Sequence, residues 1–289
     1  MPDLGQLCRK YGSDLQSVPS DWFLPDVASS LLRRRGICLS KQRQFLCEVF
    51  AGCANLTQAA RSAGMEVCPP VDIKIKFGSG QPAIAGQPQP AFGGAPGLDL
   101  LKAEDRRLVW SMLVTGKPLW VHAAFPCTFW SPMAHFNRRR APESDEESRL
   151  ESLVFVVFAL QLVRYQRRTG AHASFEQPPA CMSWHLDIVK DTMQEAGMSR
   201  VVTDLCCWGA VDPGNGLPYK KPMALCSTFD LHQLGARCRG RHAVRQKVHQ
   251  NVDSGPRRGT PRAQISGEYP PLLCCEWVRA AAAFVQPLA

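Results

Sequence analysis

Short apolar runs alternate with longer amphipathic stretches from Gln44 to the carboxyl end. FLCEVF (Phe45 to Phe50) has the length and content of a buried strand. AGCAN (Ala51 to Asn55) reads as a turn, and Leu56 to Gly64 as a helix closed by its glycine. Met65 to Ile73 predicts a second strand that ends at Asp72, completing a βαβ unit. Further along, the pattern predicts a helix over Glu104 to Thr115, a strand over Leu119 to Ala124 and a helix over Leu150 to Arg168. A strand follows in HASFEQPP (His172 to Pro179), ending at Glu176 before two prolines. Then come a helix (Ser183 to Ala196), strands (Val201 to Cys207 and Pro222 to Phe229) and a terminal helix within 266–284. Strands that alternate with helices form a mostly parallel sheet with both faces covered. The expected fold class is therefore α/β, a Rossmann-like doubly wound, mostly parallel sheet.

Four segments stand outside this pattern. Residues 1–43 read as an amino-terminal extension with one helix, Asp26 to Arg35, and residues 44–289 as the domain proper. Within the domain, 78–97 is a Gly/Pro/Gln-rich loop, 135–149 a charge-segregated loop and 235–265 a basic loop. The most apolar stretch, Leu153 to Val163, is interrupted by Gln161 and ended by Arg164, so it predicts a core helix and no membrane span. The opening MPDLGQLCRK has no apolar signal core, and an intracellular chain is expected.

Composition narrows the partners. Hydrophobic residues are 45%, enough to fill a core, and the net charge of +9 with clustered arginines points to a polyanion, nucleic acid first. The 13 cysteines lack framework spacing and are odd in number, which points to reduced thiols. Cys206-Cys207 and Cys274-Cys275 are adjacent pairs, poor as disulfides and poor as zinc knuckles. Cys226, Cys238, His242 and His249 match no standard zinc spacing, and no metal is expected.

The chemistry concentrates at strand ends. Pro126 lacks an amide donor and stops the ladder of the 119–124 strand, which leaves Cys127 at its carboxyl end before Phe129, Trp130 and Ser131. In an open α/β sheet that edge carries ligands, so Cys127 is a candidate nucleophile in an aromatic pocket; an inert buried cysteine is the competing reading. Gly52, in the first turn, lets a ligand approach the backbone, and Asp72 can accept ribose hydroxyls, although GxGxxG is absent. Asp99 serves equally as a ligand acceptor or as a cap for the helix after it, and Glu176 puts a carboxylate at a second strand end.

In order and spacing, these stations resemble the DNA (cytosine-5) methyltransferase family. Phe50-Ala51-Gly52 is similar to the family's F-A-G, Pro126-Cys127-Thr128-Phe129-Trp130-Ser131 to its P-C-Q-x-F-S, and Glu176 to the acid of its E-N-V. The chain also looks like methyltransferase-like domains of mobile-element polyproteins. The resemblance implies a fold of the S-adenosylmethionine-dependent methyltransferase type. It also implies S-adenosylmethionine held by Phe50, Ala51, Gly52, Asp72, Asp99 and Pro126, and a cytosine flipped out of nucleic acid, DNA ahead of RNA. Cys127 would add to C6 and Glu176 would hydrogen-bond near N3 while C5 takes the methyl group. The chain departs from the pattern at Phe125, Thr128 and Gln177-Pro178, and Thr203 to Trp208 lacks the family's paired arginines. The span between the last strand and the terminal helix leaves little room for a target-recognition domain. The alternative is a catalytically silent nucleic-acid-binding domain of mobile-element origin, nuclear if its source is eukaryotic, and a lowered Cys127 pKa would favour the enzyme.

Overall fold

The computed structural model describes residues 4–73, 97–131, 142–211, 216–239 and 268–285. One sheet contains β1 (Leu46–Val49), β2 (Trp120–Ala123), β3 (His172–Gln177), β4 (Ser199–Asp204) and β5 (Pro222–Ser227), in the spatial order β1-β2-β3-β5-β4. Its seven α-helices among the described residues are α1 (Leu4–Tyr11), α2 (Pro25–Arg34), α3 (Asn55–Ser62), α4 (Ala103–Gly116), α5 (Pro142–Arg168), α6 (Asp187–Glu195) and α7 (Pro271–Val285). No helix among the described residues is long and apolar enough to cross a membrane.

The protein is α/β, with a layout compatible with a Rossmann-like fold, but the sheet is mixed. β1, β2 and β3 pair in parallel, whereas β5 runs antiparallel to both β3 and β4. The expectation of a mostly parallel sheet thus holds for strand direction but fails for half of the pairings. A parallel neighbour needs a long crossover, usually a helix. The link from β4 to β5 carries only a 3-10 turn, Leu205–Trp208, among its described residues, and the chain returns antiparallel.

The strand expected over Met65 to Ile73 is reduced to two parallel bridges against β1, Leu46↔Val67 and Val49↔Val71. Pro69 and Pro70 withhold two amide donors between them. The amides on either side still donate to β1, Cys68 N–H to the Leu46 carbonyl and Val71 N–H to that of Glu48, both at 2.8 Å. The chain therefore lies on one side of β1 at 67–71 and on the other side at β2. The strand order reverses between β1 and β2.

Side chains alternate along each strand between two cores. Cys47, Val49, Val121, Ala123 and Phe175 join one core with α4 and α5, and Leu46, Trp120 and Leu225 join another with α3 and α7. Leu7, Leu15, Trp22, Leu32 and Ile37, from the segment read as an extension, belong to the first core. Helix α1 in that segment has no counterpart in the sequence reading.

Three boundaries also differ. Part of the loop expected over 135–149 is helical, because α5 starts at Pro142. Within it, Glu146 pairs with Arg149 at 2.6 Å, one turn apart on the same face. Residues 135–141 lie outside the described residues, as do 78–96 and 240–265. The helix expected from Ser183 divides into a 3-10 turn (Met182–His185) and α6, with Leu186 extended between them. The strand expected to reach Cys207 stops at Asp204.

Candidate active site at the strand-order reversal

The carboxyl ends of β1 and β2 meet at the reversal point, where open α/β sheets leave a crevice. The β1 end turns sharply. Phe50, Gly52 and Ala54 have φ of 60°, 55° and 56°. Two of these are not glycine, and a left-handed residue with a β-carbon costs about 1 kcal/mol, strain that concentrates at functional turns. The turn is held from the 65–73 segment: Ala51 N–H donates to the Val71 carbonyl (2.9 Å), and Gly52 N–H to Asp72 Oδ2 (3.0 Å). A β-carbon on Gly52 would meet nothing within 4 Å, so its backbone faces open space. The Phe50 ring sits edge-on to Phe155 at 5.4 Å.

Cys127 is half-buried just beyond β2, its carbonyl accepting Trp130 N–H at 2.9 Å in a tight turn. Exposed Pro126 precedes it, and the strand end is locked by Gln177. The Gln177 Nε2 donates to the Phe125 carbonyl (2.5 Å), and its Oε1 accepts the Cys181 thiol (3.2 Å). Thus Gln177, a position at which the chain departs from the methyltransferase pattern, ties the end of β2 to β3. Burial pushes the Cys127 thiol up to about 11, assisted by the nearby Glu176 carboxylate and Cys181 and opposed by Lys221. Burial likewise raises Glu176 to about 7, again against Lys221. The lowered thiol pKa that would mark an activated nucleophile is therefore not found.

Lys221 escaped the sequence reading. It immediately precedes β5, and because β5 is antiparallel, its first residues lie at the edge where β3 ends. The strand's direction is what brings Lys221 to Cys127 and Glu176.

A polar row also crosses the sheet. Glu48, His122 and Ser174 occupy the same register position on β1, β2 and β3. Glu48 is buried, and its Oε2 accepts Thr57 N–H (2.8 Å) and Thr57 Oγ1–H (2.5 Å), capping α3 from the strand; burial raises its pKa to about 7. Trp120 Nε1 donates to Ser174 Oγ (2.8 Å), which lies 2.9 Å from His122 Nδ1; His122 Nε2 lies 3.1 Å from the Tyr269 hydroxyl. Burial alone drives His122 down to about 3, so the ring is neutral. Two arrangements complete the row: with the proton on Nε2, Ser174 donates to Nδ1 and the ring donates to Tyr269; with it on Nδ1, the ring donates to Ser174 and Tyr269 donates to Nε2. Burial raises the Tyr269 phenol, and Glu176, Glu48 and Cys127 raise it further, so it stands close to the crevice. Asn55 Nδ2 fixes the Tyr269 carbonyl at 2.9 Å. One signal for this row was present in the sequence: a single polar residue inside an otherwise apolar strand, as at Glu48 and His122.

Asp99 has a local task. Its Oδ1 accepts Leu101 N–H (3.1 Å), its Oδ2 lies 3.7 Å from Lys102 Nζ, and its own N–H donates to Asp105 Oδ2 (2.8 Å). It shapes the turn into α4, although Lys102 and not Asp99 occupies the helix cap. The chain re-enters beside Asp72 at Gly97, where a β-carbon would lie 2.2 Å from the Ile73 carbonyl oxygen. Of the four zinc ligands weighed from spacing, Cys226 is sealed inside β5, and His242 and His249 lie outside the described residues. A cavity of about 270 Å³ lies instead near the amino ends of β2 and β3, lined by Phe23, Leu113, Pro118, Tyr165 and neighbours, and none of its lining residues is a carboxylate or thiol. A scan against protein-family models found no match for this chain, and a search of curated proteins likewise found none.

Proposed function

We propose that this chain is an S-adenosylmethionine-dependent methyltransferase-like protein that acts on cytosine C5 in nucleic acid, DNA ahead of RNA, through Cys127. On this reading the sheet is of the methyltransferase type, and the protein works inside the cell, in the nucleus if its source is eukaryotic. The observation that carries the reading is the convergence at the strand-order reversal. The open Gly52 turn with Asp72 lies at the end of β1, Cys127 at the end of adjacent β2, and Glu176 at the end of β3.

The residues present fit the cofactor. An open backbone at Gly52, the Phe50 ring and the Asp72 carboxylate make a cradle for a nucleoside with a charged tail. When bound, S-adenosylmethionine supplies an electrophilic methyl group. Cys127 sulfur bonds to C6 of the cytosine as its proton passes to water, and the ring electron pair moves to C5. Glu176, poised near 7, donates a hydrogen bond at N3 and so stabilises the charge that builds in the ring. Lys221 faces the thiolate as it forms. After C5 is methylated, loss of the C5 proton expels the Cys127 thiolate.

One observation favours a second reading, a silent nucleic-acid-binding domain: the Cys127 thiol is held near 11. Calorimetric titration with S-adenosylmethionine and S-adenosylhomocysteine separates the two. Micromolar binding, lost in Asp72→Ala and kept in Cys127→Ser, is expected, followed by a covalent adduct on a 5-fluorocytosine oligonucleotide. Absence of cofactor binding at millimolar ligand rejects the methyltransferase reading. Binding without an adduct leaves a silent relative.

A further inference from the structure

A second cluster of reactive groups lies at the carboxyl end of β4, apart from the Cys127 crevice. The 3-10 turn that ends β4 presents Cys206 and Cys207 together, and Cys238 is brought to them from beyond β5. The three Sγ atoms lie within 4.8 Å of one another. Three thiolates on one tetrahedral zinc ion, at Zn–S distances of about 2.3 Å, stand roughly 3.8 Å apart, so only a small contraction is required.

The neighbouring carboxylate supplies an independent observation. Asp204 is fully buried, and its Oδ2 accepts Cys238 N–H (2.8 Å) and Arg237 Nε–H (3.2 Å), with Lys220 Nζ 3.9 Å away. Its other oxygen, Oδ1, is buried with no hydrogen-bond partner. A sealed carboxylate oxygen without a donor is costly and calls for an unseen partner, an ion or a water. The three thiols hydrogen-bond one another, so they already converge on one point, and Asp204, two residues before Cys206, holds the orphaned oxygen.

We propose that Cys206, Cys207 and Cys238 bind one zinc ion, with its fourth position open to water. Soft thiolates with one oxygen in a tetrahedral set suit zinc, and magnesium and calcium prefer all-oxygen shells. The backbone is already arranged for it. Asp204 N–H donates to the Ala236 carbonyl (2.8 Å), and Leu205 N–H to that of Lys221 (3.0 Å), so three separate segments converge on the site. Three protein thiolates hold the ion, and one position of the tetrahedron is left to solvent. The ion ties Cys238, the first residue of the basic run CRGRHAVRQKVH, to the sheet edge that also carries Lys221. It thereby anchors the start of the most basic stretch, whichever reading of Cys127 holds. Sequence spacing could not reveal it, because the ligands come from two segments joined only through the β4–β5 pairing.

Elemental analysis of the full chain, purified without added metal or strong chelator, tests the proposal. One equivalent of zinc is expected, lost in Cys206→Ser and in Cys238→Ser and retained in Cys275→Ser, an exposed control on α7. Should the serine variants fail to fold, the parent protein decides. Titration with an organomercurial should release zinc to a metallochromic dye, and cobalt exchanged into the site should show the intense visible absorption of tetrahedral thiolate coordination. A chain without stoichiometric zinc, or with its thiols closed into a disulfide as purified, overturns the site.

Discussion

At the residue scale, Cys127 has the position of a nucleophile without the resting charge of one. Its pKa of about 11 is set by burial first and by Glu176 second, with Lys221 pulling the other way. These neighbours make the value adjustable. Glu176→Gln removes a negative neighbour, so the Cys127 pKa falls; Lys221→Met removes the opposing cation, so it rises. Alkylation by iodoacetamide, followed by mass spectrometry of the Cys127 peptide across pH, should give a midpoint near 11 that moves in these opposite directions. An unmoved midpoint in both variants would mean that burial alone sets it.

At the scale of elements, the amino-terminal segment is joined to α4 by one buried ion pair. Arg106 Nε donates to Asp14 Oδ2 at 2.6 Å and its Nη2 to Asp14 Oδ1 at 2.8 Å. Its remaining donors reach the carbonyls of Tyr11, Leu100 and Leu101. The side chains of both partners are almost wholly enclosed. Removing one partner strands the other charge in the core. Asp14→Ala should therefore destabilise the protein by about 3–5 kcal/mol, read as a lower denaturation midpoint in urea. Asp14→Asn, which keeps an acceptor, should cost less. Gln161 strengthens the same junction, donating from Nε2 to the carbonyls of Asp14 (2.8 Å) and Leu15 (3.0 Å).

At the scale of the whole molecule, the polar row makes stability depend on pH from both sides. His122 is held near 3 against an ordinary 6.5, so the fold excludes a proton that the unfolded chain binds. Its contribution is present above 6.5 and is lost as pH falls toward 3, by roughly 1.4 kcal/mol per unit. Glu48 is held near 7 against 4.5, so the fold retains a proton that the unfolded chain releases. That contribution is present below 4.5 and is lost as pH rises through 7, roughly 3 kcal/mol in all. Thermal melts should thus show a maximum in the weakly acidic range. In Glu48→Gln, which keeps an acceptor for Thr57 N–H, the alkaline limb should become shallower, keeping the part due to Glu176, while the acid limb stays. An alkaline limb as steep as the parent's would show that Glu48 is ionised in the fold.

The order of elements was legible in the sequence because strand and helix leave local marks. The apolar runs at 45–50, 119–124 and 222–229, the proline stops at Pro126 and Pro178, and the turn at Gly52 report on neighbours a few residues away. The positions of Cys127 and Glu176 at strand ends followed from those marks, and Asp72 instead follows an isolated bridge at Val71. Where two proline rings interrupt an apolar run, as at Pro69 and Pro70, the marks conflict, and the expected strand reduces to two bridges. Everything that depends on which strand lies beside which was left to the tertiary structure. The antiparallel entry of β5 carries Lys221 to the crevice, register aligns Glu48, His122 and Ser174 in one row, and Cys238 meets Cys206 and Cys207 across the β4–β5 return. Local periodicity decides which face of a strand a residue occupies. Only strand pairing and burial decide what that residue meets there and which charge it carries.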